Sequence, residues 1–352
     1  MADVAGSGSD IGGGSPLPPP PRRPVAGPPA RRPGSVRRTS AILMTWPGGL
    51  GTQLRLDGRA RDLLTPVAGP PVVLADDEVS VGVAPDRTLE DIVATPARPG
   101  IDGLVGARGG AQLRAALEEV VPTERAGSTP LYLLLDDLAG ASLIAGFAWT
   151  RVVDVFRRPP GERPQPPRQQ MMGICAGFRP GSSTLAADGS ISREMRHNVA
   201  PAPPLADAAD PWSFHELAPH PAVAMRRARR IDAWLDGDAV VVDAMFRDSC
   251  WEADGTEVAV HEYGLDVVIE DGVVSSVRAE PRVLPFAECP AAAPNAPWMV
   301  GARADELRDE VLVRLRSTDC CTHLNDALRA LAEVPHLSAA LGSAAARRSP
   351  LG

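Results

Sequence analysis

The chain has 352 residues and a formal net charge of −8, from 36 strongly basic and 44 acidic side chains. That balance opposes tight nonspecific binding to nucleic acid or to an anionic membrane, while the length suffices for a substantial core. Lysine is absent, so all the strongly basic residues are arginine. Schiff-base lysines, phosphate-loop lysines, Tyr/Lys dehydrogenase pairs and biotin or lipoyl attachment are therefore excluded.

Aromatic residues make up 4% of the chain, so the core must be built from Val, Leu, Ile and Ala. Cys175, Cys250, Cys289, Cys320 and Cys321 are an odd, widely spaced set that does not read as a disulfide framework. Reduced thiols and the lack of a signal-like N-terminus place the expectation in the cytoplasm. The most apolar stretch, Leu131 to Trp149, contains Asp136 and Asp137, which argues for a buried element over a membrane span.

Residues 1–37 are Gly/Ser-rich, then Pro-rich, then Arg-rich, a composition that predicts a disordered tail. Residues 38–156 form an N-terminal α/β region. From Ser40 to Thr95, apolar runs of three to five residues alternate with Gly, Pro and Asp, predicting short strands. Ala111 to Val121 has helical spacing, ended by Pro122. Thr129 to Val155 predicts a long buried helix starting near Pro130, with a strand and helix broken at Gly140 or Gly146 as the competing reading. Residues 157–212 predict a long irregular loop around the apolar island Met171 to Phe178.

The segment 213–342 is clearer, and should pack with 38–156 as one unit. Ile231–Leu235, Ala239–Phe246, Glu257–Ile269 and Val273–Ala279 are separated by Asp-Gly signals and predict a four-stranded antiparallel meander. In the third strand, alternation places His261 and Tyr263 with Ala259 on one face, and Val258, Val260 and Glu262 on the other. Helices follow at Asp305–Arg316 and Thr322–Glu333, with Pro335 as the stop and a disordered end at 343–352. The fold class is α+β: an antiparallel meander with C-terminal helices, plus an N-terminal region of short strands and a long buried helix. No internal repeat stands out.

The strings MRRARRIDAW, VDAMFRDS, GTEVAVHEYGLDVVI, PRVLPFAECPAA and CCTHLNDALRALAEVP resemble the actinobacterial branch of a bacterial domain-of-unknown-function family. Several strings of the first half fit the same branch. Asp319-Cys320 departs from the glycine expected before the Cys-Thr-His-Leu element. The resemblance implies no established activity.

Cys321-Thr322-His323 is the first chemical candidate. If Thr322 caps the helix, Cys321 sits at its N-terminus, where the field favours a thiolate and a neutral His323. His261 with Tyr263 is a second candidate, a proton-transfer pair in mid-strand. A zinc site drawn from His261, His323, Cys321 and perhaps Cys289 stays open, though no ligand spacing supports it. Asp136 and Asp137 are raised-pKa acids if unpaired and structural if an arginine meets them, the favoured reading. The run Arg226, Arg227, Arg229, Arg230 is weighed as an anion site against solvated charges and local ion pairs, which are favoured. There is no nucleotide or pyridoxal phosphate signature. His261, Tyr263, Cys321 and His323 together suit a cofactor-independent or metal-assisted acid–base enzyme of the hydratase, dehydratase or isomerase type, acting on a small apolar ligand. A non-catalytic binding or scaffold protein is the alternative.

Overall fold

The computed structural model describes residues 24, 27–148, 171–190, 192, 197–220, 223–252 and 254–346. Most of the expected tail, much of the expected long loop (including 157–170) and the last six residues lie outside these. The tail boundary moves, because Ser35, Val36 and Arg37 already belong to the first strand, β1 (Ser35–Thr45). Strands β2 (Leu54–Thr65), β3 (Val72–Val83) and β4 (Leu89–Thr95) follow. The first three run 11 or 12 residues, longer than their apolar runs suggested, because charged residues occupy buried strand positions. Helices α1 (Ala111–Val120), α2 (Pro122–Ala126) and α3 (Pro130–Ile144) come next. Thr129 caps α3 by accepting from the Tyr132 N–H at 3.1 Å, and Pro130 fills the first turn. The helix runs unbroken through Gly140, where a Cβ would strike Arg227 and Asp326, so glycine permits the close approach. The window Pro130–Phe147 is long and apolar enough to cross a membrane, but 78% of it is packed inside the protein.

The second half holds β5 (Ala200–Pro201), β6 (Ala224–Asp236), β7 (Ala239–Trp251), β8 (Glu257–Glu270) and β9 (Val273–Val283). Helices α4 (Leu307–Arg314), α5 (Thr322–Arg329) and α6 (Val334–Ala346) end the described chain. Pro335 does not stop the helical run. It stands in the first turn of α6, where its missing N–H costs nothing.

Among the described residues all strands join one nine-stranded antiparallel sheet, ordered β4-β3-β2-β1-β6-β7-β8, with β9 and β5 both pairing β8. The sheet is two copies of one motif, which corrects the expectation of no repeat. The copies meet at β1 and β6, where Ser40 stands opposite Arg229. Arg38 faces Asp62 across β1/β2, and Arg227 faces Asp248 across β6/β7. The register then slips at matching places, between Asp62 and Leu63 and between Asp248 and Ser249. Val105-Gly106-Ala107-Arg108 recurs as Val300-Gly301-Ala302-Arg303. Gly106 and Gly301 share a left-handed φ of 88° and 83° and donate to Leu89 O and Val274 O at 2.8 and 2.9 Å. Identities this few, split by unequal loops, become visible only once the strands are paired.

One face of the sheet carries the helices over two apolar clusters, with Val79, Leu113 and Leu134 in one and Leu265, Leu307 and Leu328 in the other. Buried ion pairs run between them. Arg38 holds Asp62 through two bonds of 2.6 Å and reaches Glu333 at 2.7 Å. Glu333 also binds Arg308, which holds Asp136 together with Arg329. Arg229 holds Asp137 through bonds of 2.6 and 2.5 Å. The basic run is therefore not solvated: Arg227 and Arg229 point under the helices, Arg226 and Arg230 to the opposite face, and all four are buried. Residues 205–217 cover that opposite face, setting Leu205 and Phe214 on Ala41 and Ala228.

These burials make an acid prediction. Burial alone would raise Asp136, but Arg329 and Arg308 outweigh it and hold it down at about 2. Burial, then Arg61, pulls His215 down to about 3. Both groups bind fewer protons folded than unfolded, so their stability is complete above the unfolded values, about 6.5 for His and 3.9 for Asp. It should be lost as pH falls from 6.5 towards 3 for His215 and from 4 towards 2 for Asp136. Urea midpoints should therefore drop between pH 7 and pH 4 and again below. A flat profile down to pH 4 would contradict the His215 assignment.

Candidate functional site

A bulge in β8 builds the site. Ala259 pairs with Ser249 and His261 with Asp248, leaving Val260 as the extra residue. Strict alternation fails there. Val258 and Val260 lie in the helix-side apolar cluster, and His261 and Tyr263 face the helices as well. Glu262 turns to the other face and binds Arg247 at 2.7 Å.

His323, in the first turn of α5, lies flat on His261, with ring centroids 3.5 Å apart and planes 16° apart. Both rings address one carboxylate: His261 Nδ1 is 3.8 Å and His323 Nε2 3.5 Å from Asp248 Oδ2. Asp248 is fully buried and accepts from Arg227 Nε and Nη2 at 2.9 and 3.1 Å. Arg227 also donates to Asp326 at 2.8 Å. Burial pushes both imidazoles well below their usual range, helped by the His323 ring at His261 and by Arg227 and Arg229 at His323. Both rings are thus neutral and able to donate a lone pair. His261 Nδ1 is buried with no hydrogen-bond partner, whereas His323 keeps 15% of its side chain exposed.

Cys321 stands at the N-cap of α5, and Thr322 is the first helical residue, so the expected threonine cap is not formed. The Cys321 thiol lies 3.8 Å from His323 Nδ1, the nitrogen turned away from Asp248. Burial raises the thiol despite its helix-end place and the hydroxyl of Tyr263 beside it, so the expected thiolate is corrected to a thiol. Burial likewise raises Tyr263, which meets Cys321 and makes no bond to His261. The drawn set of His261, His323, Cys321 and Cys289 is accordingly revised. Cys321 backs the outer nitrogen of His323, and Cys289 lies in the apolar cluster with its thiol raised by burial. Asp248 takes the third place.

The donor atoms of Asp248, His261 and His323 all lie within 4.8 Å of one another. A tetrahedral ion with bonds of about 2.0–2.1 Å needs donors about 3.4 Å apart. The 3.5 and 3.8 Å separations of the imidazoles from the carboxylate come near that spacing, and the stacked rings, whose lone pairs lie in their own planes, would tilt apart to reach one ion. A carboxylate has about four lone-pair sites, so its two bonds to Arg227 leave room for an ion. The first half supplies a comparison. Asp62 and Arg38 repeat the Asp248–Arg227 pair, but Ala75 stands opposite Asp62 where His261 stands opposite Asp248. Counted from the N-cap, Leu131 takes the place of His323. The carboxylate–guanidinium pair belongs to the shared motif, whereas the histidines are additions that the motif folds without.

Asp248 was not singled out, and the string FRDS was its only signal, whereas Arg227 was weighed only as part of the basic run. Fold and site define an α+β protein of duplicated sheet motif with a buried cluster of two histidines and one carboxylate. Residues 225–336, about a third of the chain, match the family described as "Protein of unknown function (DUF2889)". The span is the second copy of the motif and holds the whole cluster. No curated protein and no solved structure matches the chain.

Proposed function

We propose that Asp248, His261 and His323 bind one divalent transition-metal ion, zinc in the first instance, and that the ion supports acid–base chemistry on a small, largely apolar molecule. The observation that carries this reading is the convergence of three donors around His261 Nδ1, a buried lone pair with no protein partner. Two histidines and one carboxylate leave coordination positions open for water or substrate, as catalytic sites require. The exposed edge of His323 is the side from which they would be reached. A bound ion would lower the pKa of its water towards 7 and supply a hydroxide for hydration or hydrolysis. The five free cysteines fit a cytoplasmic setting.

Metal-stripped protein should take up one equivalent of zinc in competition with a chromophoric chelator, and His261→Ala should take up none at the same concentration. Absence of saturable binding of zinc, cobalt(II), iron(II) and manganese(II) would end this reading. A second reading keeps the ion and drops the chemistry. Asp248 and His261 are buried beneath α5 and His323 is only 15% exposed, which favours a staple tying α5 to β7 and β8. Zinc-dependent hydrolysis of p-nitrophenyl acetate, lost in His323→Ala, would support chemistry. Thermal stabilisation by zinc without such turnover would support the staple.

Cys321 is assigned a positioning role, holding the His323 ring through Nδ1. Cys321→Ala should weaken zinc binding about 10–100-fold, the usual cost of losing such a partner. Cys321→Ser should recover most of it, and far-ultraviolet circular dichroism should be unchanged. Equal affinities in Cys321→Ala and the parent would remove the role.

A further inference from the structure

We infer that the cleft on the opposite face of the sheet, between β2, β3 and residues 215–219, is a binding site for a small monocarboxylate with an apolar body, held by Arg226. The inference is independent of the metal reading. It comes from comparing the two halves. Across the β1/β6 pairing Arg37 stands opposite Asp232, and the matching residue Arg226 stands opposite Leu43. Arg37 is fully served: Asp232 accepts two bonds of 2.6 and 2.9 Å, and the carbonyls of Ser213 and Pro29 accept two more at 3.0 and 2.9 Å. Arg226 is also buried, at 7% exposure against 1% for Arg37, yet its carboxylate partner among the described residues is Glu257 at 3.5 Å. Its guanidinium otherwise lies over the Trp251 ring at 4.6 Å. A buried guanidinium that lacks the carboxylate its counterpart has is costly unless something else provides it.

The space for that partner exists. Arg226 lines a half-open cavity of about 290 Å³, near the lower end of small-ligand pockets at roughly 300 Å³. The cavity is there because Ala41 stands in β1 where Arg230 stands in β6, opposite Ala228 and Thr39 respectively. The matching cleft of the second half, lined by Arg230 and Met245, holds about 100 Å³. Ala41, Leu43 and Leu217 give the larger cavity an apolar wall, against which a short hydrocarbon body would lie. His215 adds a polar group to the lining. Its Nδ1 pairs with Thr39 Oγ1 at 2.8 Å, while Nε2 is buried without a partner. The lining holds three acidic residues: Asp57 pairs with Ser80 and Glu78 with Arg59 at 3.5 Å, both partners lining the same cavity, and Glu216 is the third. They disfavour multiply charged anions and leave room for one carboxylate at Arg226.

The test titrates hexanoate, benzoate and their neutral amides into chelator-treated full-length protein by isothermal calorimetry at low salt. At least one acid should bind saturably and more than tenfold tighter than its amide. Arg226→Met should abolish that preference. Leu43→Asp supplies the carboxylate that Asp232 gives Arg37, so it should stay folded, raise the melting temperature and lose acid binding. Failure of both acids to bind, equal binding of acid and amide, or full acid binding in Leu43→Asp would each overturn the assignment.

Discussion

Arg38→Met should lower the unfolding free energy by about 3–5 kcal/mol, the cost of breaking a buried ion pair and leaving its partners charged. Arg38 is fully buried and holds Asp62 through two bonds and Glu333 through a third. Methionine fills much of the same volume but leaves both carboxylates without that cation. Glu333 keeps Arg308, whereas Asp62 faces the substituted position across the strand pair. Replacing Arg38, Asp62 and Glu333 together by apolar residues should restore part of the loss, because the penalty lies in the unpaired charges. Urea unfolding followed by circular dichroism measures both. A loss below about 1 kcal/mol for Arg38→Met would mean that the ion pairs do not join the two halves as described.

His323→Ala should reduce zinc affinity more than about 100-fold, beyond the 10–100-fold typical of residues that only position a ligand. Stability of the metal-free protein should change by no more than about 1 kcal/mol. His323 is partly exposed, and its contacts include a stacked neutral ring, a thiol at 3.8 Å, a hydroxyl at 3.4 Å and the Asp248 carboxylate at 3.5 Å, none of them a short bond. Competition titration and thermal melting of the same samples separate the two effects. Loss of fold alongside loss of metal would instead make His323 a packing residue.

The second-half meander was legible because the Asp-Gly pairs at 236–237 and 271–272 and strong alternation mark it locally. The wager from residue chemistry was that His261 and the Cys321–His323 step meet around one hollow; the two rings do approach, but as a stack with centroids 3.5 Å apart and no space between them. Asp248 was not legible, since one carboxylate among 44 acidic residues acquires meaning only when β7 pairs with β8. The arginines misled for a related reason. Arg38 finds Glu333 and Arg229 finds Asp137 across long stretches of chain, so nothing near them in sequence announces burial. The same concealed partners let LRLDGRARDLLT read as broken short runs, although β2 spans it without interruption. Cys321 failed differently. The helix end does favour a thiolate, but burial acts on the same group and is larger.

The central claim is that two imidazoles and one carboxylate form a metal centre. X-ray absorption at the zinc edge, on protein reconstituted with one equivalent, tests it most directly. Nitrogen and oxygen scatterers at about 2.0–2.2 Å, with the multiple-scattering signature of two imidazoles and no sulfur, are expected. A sulfur shell at about 2.3 Å, or a spectrum of zinc free in buffer, would contradict the Asp248–His261–His323 centre.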